Sequence, residues 1–140
     1  RGVRRGLVDL GGDLAVIGPH PDGAPWRVGI RHPREPAQAL GTLPLGWGGI
    51  ASSGDYERCM VIGGVRYGHI LDPRTGWPVR GLAAVTVAAS HCLVAGTLTT
   101  IAMLKGERGA AWLDSVGAPC LYVTEAGGLG GSLVAQPIAA

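Results

Sequence analysis

The side chains best suited to catalysis or ligand binding lie in one run, His69-Ile70-Leu71-Asp72-Pro73-Arg74-Thr75-Gly76. Asp72, Pro73 and Gly76 are typical of a tight turn. The turn does not account for His69, Arg74 and Thr75. Imidazole accepts protons near neutral pH, and guanidinium suits phosphate. A structural histidine is the alternative, but this run is the preferred candidate site.

Two glycine-containing stretches could bind an anion. Gly11-Gly12-Asp13 follows an apolar strand, and its backbone N–H groups could face a ligand. Taken alone, a plain Gly-Gly turn with a solvated Asp13 is the favoured interpretation of this stretch. In the stretch 52–58, the two serines could donate to phosphate, and Ser53-Gly54-Asp55 is expected to form a turn between two strands. Local backbone hydrogen bonds are the alternative there.

A third polar group lies on a predicted helix. Thr97, Thr99 and Thr100 could be polar ligands, or their hydroxyls could bond back to the helix backbone. The helix places no carboxylate among them.

The elements that must position these residues are short and mostly extended. Alternation and apolar runs predict strands over 7–10, 14–17, 26–31, 47–52, 56–62, 65–71, 83–89 and 119–124. Helical spacing predicts helices over 93–106 and 107–116, and the tail 127–140 is irregular or a weak edge strand. Together, these elements predict a single α+β domain over 1–140, with a mainly antiparallel sheet and two late helices.

Composition excludes several classes of protein. Twelve Lys/Arg against ten Asp/Glu give a net charge of +2, too little for an electrostatic nucleic-acid binder. No run reaches the ~20 apolar residues of a membrane helix, so no transmembrane segment is predicted. The chain begins at Arg1 without an initiating Met or a signal-peptide pattern, so we expect a fragment, a processed chain or a split subunit.

Taken in order, these stretches resemble the ApbE-type flavin transferases, the FAD:protein FMN transferases. The similarity rests on 8–13, 26–30, 52–58 and 69–78, followed by the strand 84–89 and the helix 93–106. It covers nearly all of 6–125 and implies the C-terminal portion of that fold, without the family's N-terminal region.

The resemblance implies a function. The family moves FMN from FAD to a Thr or Ser hydroxyl of a partner flavoprotein, with Mg²⁺, releasing AMP. His69 would be catalytic, and Thr100 would bind the metal. The residues expected to bind FAD are Gly11, Gly12, Asp13, Ser53, Gly54, Asp55, His69, Ile70, Asp72, Arg74 and Thr75. Many relatives work in the periplasm or at a membrane, on respiratory flavoproteins.

The sequence departs from the family pattern at Gly96, where members carry a metal-binding Asp four residues before the Thr at 100. Mg²⁺ depends on carboxylate oxygens, so this loss is expected to weaken the metal site. Two hypotheses follow. In the first, the chain is a working flavin transferase, or half of a split one that a second chain completes. In the second, it is a degenerate non-catalytic subunit with a binding or structural role.

Overall fold

A computed structural model describes residues 2–133 of the chain. The strands, in chain order, are β1 (Leu7–Leu10), β2 (Asp13–Val16), β3 (Trp26–Arg31), β4 (Ala39–Leu45), β5 (Gly48–Gly54), β6 (Cys59–Ile62), β7 (Val65–Gly68), β8 (Leu82–Ala89), β9 (Cys120–Thr124) and β10 (Leu129–Gly130). The helices are α1 (Cys92–Leu104) and α2 (Gly109–Ser115), joined by a 3-10 turn over Gly106–Arg108.

The main sheet has six strands in the order β1-β2-β5-β8-β9-β10, and each neighbouring pair is antiparallel. The helices come after the first eight strands and pack on one face of the sheet. This arrangement confirms the predicted α+β class with two late helices.

The core lies mainly between this sheet and α1. Val85 and Val87 of β8 are fully buried against Ala95 and Met103 of the helix. The approach is closest at Gly49, where an added Cβ would lie 2.4 Å from the backbone nitrogen of Cys92. A side chain at 49 would therefore displace the start of α1, which fixes the helix against β5.

The opposite face of the sheet is covered by the β3–β4 ribbon. Val28, Ile30 and Leu43 of that ribbon pack against Ile50 and Leu121. The alternation of buried and exposed residues in β3 is the pattern of a strand with one face in the core.

The two edges of β5 are paired over different lengths, and this difference leaves room for a cleft. One edge of β5 pairs with β8 from Gly49 to Gly54, whereas the other edge pairs with β2 only from Gly48 to Ile50. Beyond Ile50, the β2 side of β5 opens into a cleft.

The structure differs from the sequence expectations at several elements. The strand β4 was not predicted, and β5 continues through Ser53 and Gly54, so the predicted turn at 53–55 was wrong. Residues 55–58 form a bend, and the strand predicted over 56–62 is limited to Cys59–Ile62. The second helix begins only at Gly109, after the 3-10 turn. In the tail, Leu129–Gly130 is a short edge strand, and 134–140 lie outside the described residues.

Candidate active-site cleft

An open cleft of about 1510 Å³ lies along the free edge of β5. It is bounded by the tip of the β1–β2 hairpin, β3, the end of β5, the bend at 56–58, His69 and the first three turns of α1. Of the predicted site residues, it brings together Gly11, Gly12, Asp13, Ser53, Gly54, His69, Ile70 and Thr100.

The hairpin tip is shaped by two glycines in the left-handed region. Gly11 has φ 69° and Gly12 has φ 97°, and a Cβ at either position would meet no atom within 4 Å. The Gly12 N–H donates to Asp9 Oδ1 at 2.8 Å. That donor is engaged inside the turn, so the tip contributes shape and backbone access rather than two free N–H groups.

Asp13 reaches from β2 to the helix wall of the cleft. Its Oδ2 lies 3.7 Å from the position that a Cβ would occupy at Gly96. Burial raises the pKa of the nearby Cys92 thiol, and the negative charge of Asp13 raises it further. The chain therefore has a carboxylate beside the helix position that lacks one. No sequence signal places residue 13 beside residue 96, because the contact depends on how β2 pairs with β5.

Most of the serine and threonine hydroxyls of the cleft are hydrogen-bonded within the described residues, and the exception is Thr100. Ser53 Oγ donates to Thr99 Oγ1 at 2.9 Å, and Thr99 donates to the Gly96 carbonyl at 2.9 Å. Thr99 is fully buried, so this pair ties β5 to α1. Thr97 bonds back to the Leu93 carbonyl at 2.8 Å, whereas Thr100 is exposed on the cleft wall.

His69 follows β7 directly and has an exposed side chain on the cleft wall. Within residues 2–133, its ring makes no hydrogen bond with another side chain. Its position is fixed through the chain, since the Ile70 carbonyl accepts from the Val79 N–H at 3.0 Å and the Ile70 side chain packs on the core. The backbone of His69 is therefore held in place, while its imidazole is uncommitted, meaning that within the described residues it makes no hydrogen bond with another side chain. Such a group suits proton transfer to or from a bound substrate.

The remaining predicted residues of this run lie outside the cleft. The Asp72 carboxylate accepts from the backbone N–H and Nε of Arg74 at 2.9 and 3.1 Å, and from Arg74 Nη2 at 2.7 Å. The Arg74 guanidinium lowers the pKa of Asp72 to about 2. Thr75 Oγ1 accepts from the Trp77 N–H at 3.2 Å. These contacts close the loop that follows His69.

Asp55 also lies outside the cleft, and it is buried. Its two carboxylate oxygens accept from the guanidinium of Arg34 at 2.5 and 2.8 Å. The Asp55 carboxylate raises the pKa of Arg34. The pair ties the β3–β4 connection to the end of β5, which is a positioning role.

Sequence reasoning missed the cationic wall of the cleft. Arg27, Arg31 and Arg58 all line it, with Arg27 donating to Thr42 Oγ1 at 3.1 Å and Arg31 paired with Glu57. The signal was present, because Arg27 and Arg31 occupy the polar face of the alternating strand β3. Burial raises the pKa of Tyr56 on the same wall, so its phenol stays protonated and can donate a hydrogen bond.

The cleft offers a limited donor set for a metal ion. Among residues 2–133, no three His, Cys, Asp or Glu side chains gather in a cluster. Asp13 and Thr100 are a carboxylate and a hydroxyl on the same cleft. Mg²⁺ commonly uses one or two carboxylates together with substrate phosphates and water, so this donor set fits Mg²⁺ bound jointly with a phosphorylated ligand.

The fold and the cleft together define a class of protein. It is an α+β domain with a ligand cleft that combines arginines, hydroxyls and an uncommitted imidazole, a combination suited to a phosphorylated ligand. The chain belongs to the ApbE family, whose model matches residues 1–122.

Relatives and solved structures agree with this assignment. The chain is 35% identical over 128 residues to the FAD:protein FMN transferase of Vibrio cholerae, and 37% identical over 107 residues to that of Rhodobacter capsulatus. The ApbE protein of Thermotoga maritima superimposes with a TM-score of 0.82 at 38% identity, over 91% of this chain and 42% of that one. The ApbE flavinyl transferase of Pseudomonas stutzeri superimposes with a TM-score of 0.74 at 37% identity, over 94% of this chain and 40% of that one.

The match covers only part of those proteins. The similarity takes in 89% of this chain but 38% of the Vibrio cholerae relative, and 76% of this chain but 20% of the Rhodobacter capsulatus one. Residues 2–133 contain no helix that is long and apolar enough to cross a bilayer.

Proposed function

We propose that this chain takes part in the transfer of FMN from FAD to a Thr or Ser hydroxyl of a partner flavoprotein. The observation that carries the proposal is the uncommitted imidazole of His69 on a cleft that also holds Arg27, Arg31 and Arg58. Relatives that share 35–37% identity with the chain are named FAD:protein FMN transferases, which supports the same chemistry.

The reaction can be written with these groups. The acceptor hydroxyl oxygen bonds to the FMN phosphorus, and the bond from that phosphorus to the bridging oxygen breaks. The bridging oxygen leaves with AMP, and the product is a phosphoester. The hydroxyl proton passes to a ring nitrogen of His69 and then to solvent. The arginines offset the charge that develops on the phosphate oxygens.

Binding of FAD is assigned to the hairpin tip and the end of β5. Gly11 and Gly12 leave the space above the tip open, and Ser53 and Gly54 line the floor. Mg²⁺ would be held by Asp13 and Thr100 with pyrophosphate oxygens, and when bound it neutralises phosphate charge. Asp72, Arg74 and Thr75 contribute indirectly, since their loop holds His69 in place.

The rest of the cleft is proposed to come from outside these residues. The chain spans 38% of the Vibrio cholerae relative, and the cleft is open to solvent along the edge of β5. A further part of the same polypeptide or a second chain would close it. An acceptor flavoprotein then completes the set of partners.

A non-catalytic subunit is the second candidate, and one observation favours it. Within residues 2–133, no three Asp, Glu, His or Cys side chains form a cluster that could hold a metal ion. Such a protein would hold FAD without turnover.

The test is covalent labelling of an acceptor. The chain, alone and joined to the remaining part of the Thermotoga maritima protein, is incubated with FAD, Mg²⁺ and an acceptor flavoprotein produced without its covalent flavin. In-gel flavin fluorescence measures transfer. We expect His69→Ala to slow transfer by about 10²–10⁴-fold. His20→Ala is the matched control, since His20 contacts Asp22 and Trp26 away from the cleft.

The outcomes separate the two candidates. Labelling that survives His20→Ala and is lost in His69→Ala supports transfer. FAD binding without labelling in either form of the protein supports the non-catalytic subunit. Labelling that is equally strong in His69→Ala overturns the role given to this residue.

A further inference from the structure

A second cavity, of about 660 Å³, lies on the other side of His69. We call it the hairpin groove and define it by its apolar lining, which consists of Met60, Ile62, Tyr67, Leu71, Trp77 and Pro78. It lies between the β6–β7 hairpin and the loop closed by the pairing of Leu71 with Pro78.

The register of the hairpin explains why one of its faces is apolar. Met60 is opposite Tyr67, and Ile62 is opposite Val65, so these four side chains project from the same face. Within residues 2–133, β6 and β7 pair only with each other. In this part of the chain, no third strand extends the hairpin into a larger sheet.

The apolar side chains that line the hairpin groove are unusually exposed. Met60 is 65% exposed, Ile62 60% and Trp77 67%. Tyr67 and Trp77 lie near each other, with ring centroids 6.5 Å apart. Adjacent apolar groups at this exposure, gathered in a concave site, are typical of an interaction surface rather than of scattered surface residues.

The groove is continuous with the candidate active site. Arg58 and His69 line both the cleft and the hairpin groove. A ligand in the groove would therefore meet the same imidazole as a ligand in the cleft, from the other side. The two cavities differ in character, because the cleft carries arginines and hydroxyls whereas the groove lining is mostly apolar.

We infer that the hairpin groove docks the acceptor protein, through an extended segment whose apolar side chains flank the hydroxyl that receives FMN. This inference rests on the proposed function. FAD would occupy the cleft and the acceptor segment the groove, so that the hydroxyl and the pyrophosphate meet at His69. The aromatic side chains Tyr67 and Trp77 would bind the apolar neighbours of the hydroxyl.

The experiment compares acceptor affinity with FAD affinity. The groove variant is Met60→Ser combined with Trp77→Ala. The matched control is Leu129→Ser, since Leu129 is 61% exposed on β10 and lines neither cavity. Steady-state transfer gives the acceptor KM. Titration calorimetry gives the FAD Kd, and fluorescence anisotropy gives the Kd of a labelled peptide that carries one Thr between Leu and Ala residues.

We expect the groove variant to raise the acceptor KM and the peptide Kd at least tenfold, with the FAD Kd within twofold of wild type. Leu129→Ser should change none of the three. An unchanged KM and peptide Kd in the groove variant would overturn the inference. So would a change of oligomeric state, or weaker association with the rest of the enzyme, measured by light scattering, because the groove would then be covered by protein other than the acceptor.

Two results distinguish a failure of acceptor docking from a failure of FMN transfer. Wild-type protein that binds the peptide through the groove and labels no acceptor contradicts transfer but keeps the docking surface. Wild-type protein that labels an acceptor, with no dependence on the groove, contradicts docking alone.

Discussion

Position 96 carries no side chain at the point where Asp13 meets the helix wall. A Cβ there would lie 3.7 Å from Asp13 Oδ2 and 3.8 Å from the Ala51 Cβ, which are ordinary contact distances. Gly96→Asp would add a second carboxylate beside the first. We predict that it tightens Mg²⁺ binding about tenfold, or about 1.4 kcal/mol, because Mg²⁺ affinity grows with carboxylate charge. Calorimetric titration with MgCl₂ measures the change.

Gly96→Ala is the matched control for that variant. It adds the Cβ without the charge, and it removes a helix glycine at a gain of about 1 kcal/mol in stability. Mg²⁺ binding should stay at the wild-type level in Gly96→Ala and fall when Gly96→Asp is combined with Asp13→Asn. Equal Mg²⁺ affinity in Gly96→Asp and Gly96→Ala would contradict the placement of the metal beside Asp13.

Asp55 is expected to support the fold rather than to bind FAD. Its side chain is 10% exposed, against 32% for that of Arg34, so Asp55→Asn leaves a half-buried guanidinium without its anionic partner. We predict a loss of about 1–3 kcal/mol in the free energy of unfolding, measured by urea denaturation. The loss in the double variant Arg34→Met/Asp55→Asn should be smaller than the sum of the single losses. A tenfold rise in the FAD Kd at unchanged stability would instead make Asp55 a ligand.

Among the elements, the loop that holds His69 depends on an ion pair that can be titrated. The folded pKa of Asp72 is about 2, against the usual 3.8. A carboxyl whose pKa is lowered by folding stabilises the fold above its unfolded pKa and loses that effect as the pH falls through the folded pKa. We therefore predict that the loop loosens between about pH 4 and pH 2.

NMR detection of the side-chain carboxyl carbon should place the Asp72 midpoint near 2. Arg74→Gln removes the guanidinium named as the largest cause of the shift and should move the midpoint upward. An Asp72 midpoint that stays near 2 in Arg74→Gln would contradict the ion pair as the cause.

Strands with a clean alternation or an apolar run could be predicted from sequence, and others could not. The alternating residues of β3 and the apolar run of β8 gave both strands correctly. β4 was missed because Gly41 and Pro44 interrupt it. The β3–β4 ribbon tolerates Gly41 and Pro44 because one edge of β4 has no partner strand within residues 2–133. The extension of β5 through Gly54 depends on its pairing with Ala84 of β8, which local turn chemistry does not reveal.

Site residues that belong to one local sequence motif could be predicted. Contacts between residues that are distant in the chain could not, because they depend on the fold. His69 and the hairpin glycines could be identified as candidates from their local motifs. The contact of Asp13 with the helix at position 96 depends on strand register, and the exclusion of Asp55 from the cleft depends on Arg34. Asp72 and Asp55 are good acceptors by residue type, and both are already engaged by arginines.

At the scale of the whole molecule, the open cleft decides how the chain should behave in isolation. The chain spans 42% of the Thermotoga maritima structure. Within residues 2–133, the walls of the cleft are β1–β2, β3, β5, the bend at 56–58, His69 and α1. A partly walled site buries less of a ligand, so FAD should bind weakly to the chain alone. Because Asp13 and Thr100 would share Mg²⁺ with the pyrophosphate, the binding should also depend on Mg²⁺.

We predict that titration calorimetry of the chain with FAD gives a Kd above about 10 μM with Mg²⁺ and at least tenfold weaker binding with EDTA, equivalent to about 1.4 kcal/mol. Joining the remaining part of the Thermotoga maritima protein should tighten the Mg²⁺-dependent Kd. Asp13→Asn should remove the Mg²⁺ dependence in both forms, whereas Asp22→Asn leaves the metal alone, since Asp22 pairs with His20 away from the cleft. Tight binding that is indifferent to Mg²⁺ would instead indicate a flavin-holding subunit, in which the arginines of β3 suffice for the pyrophosphate.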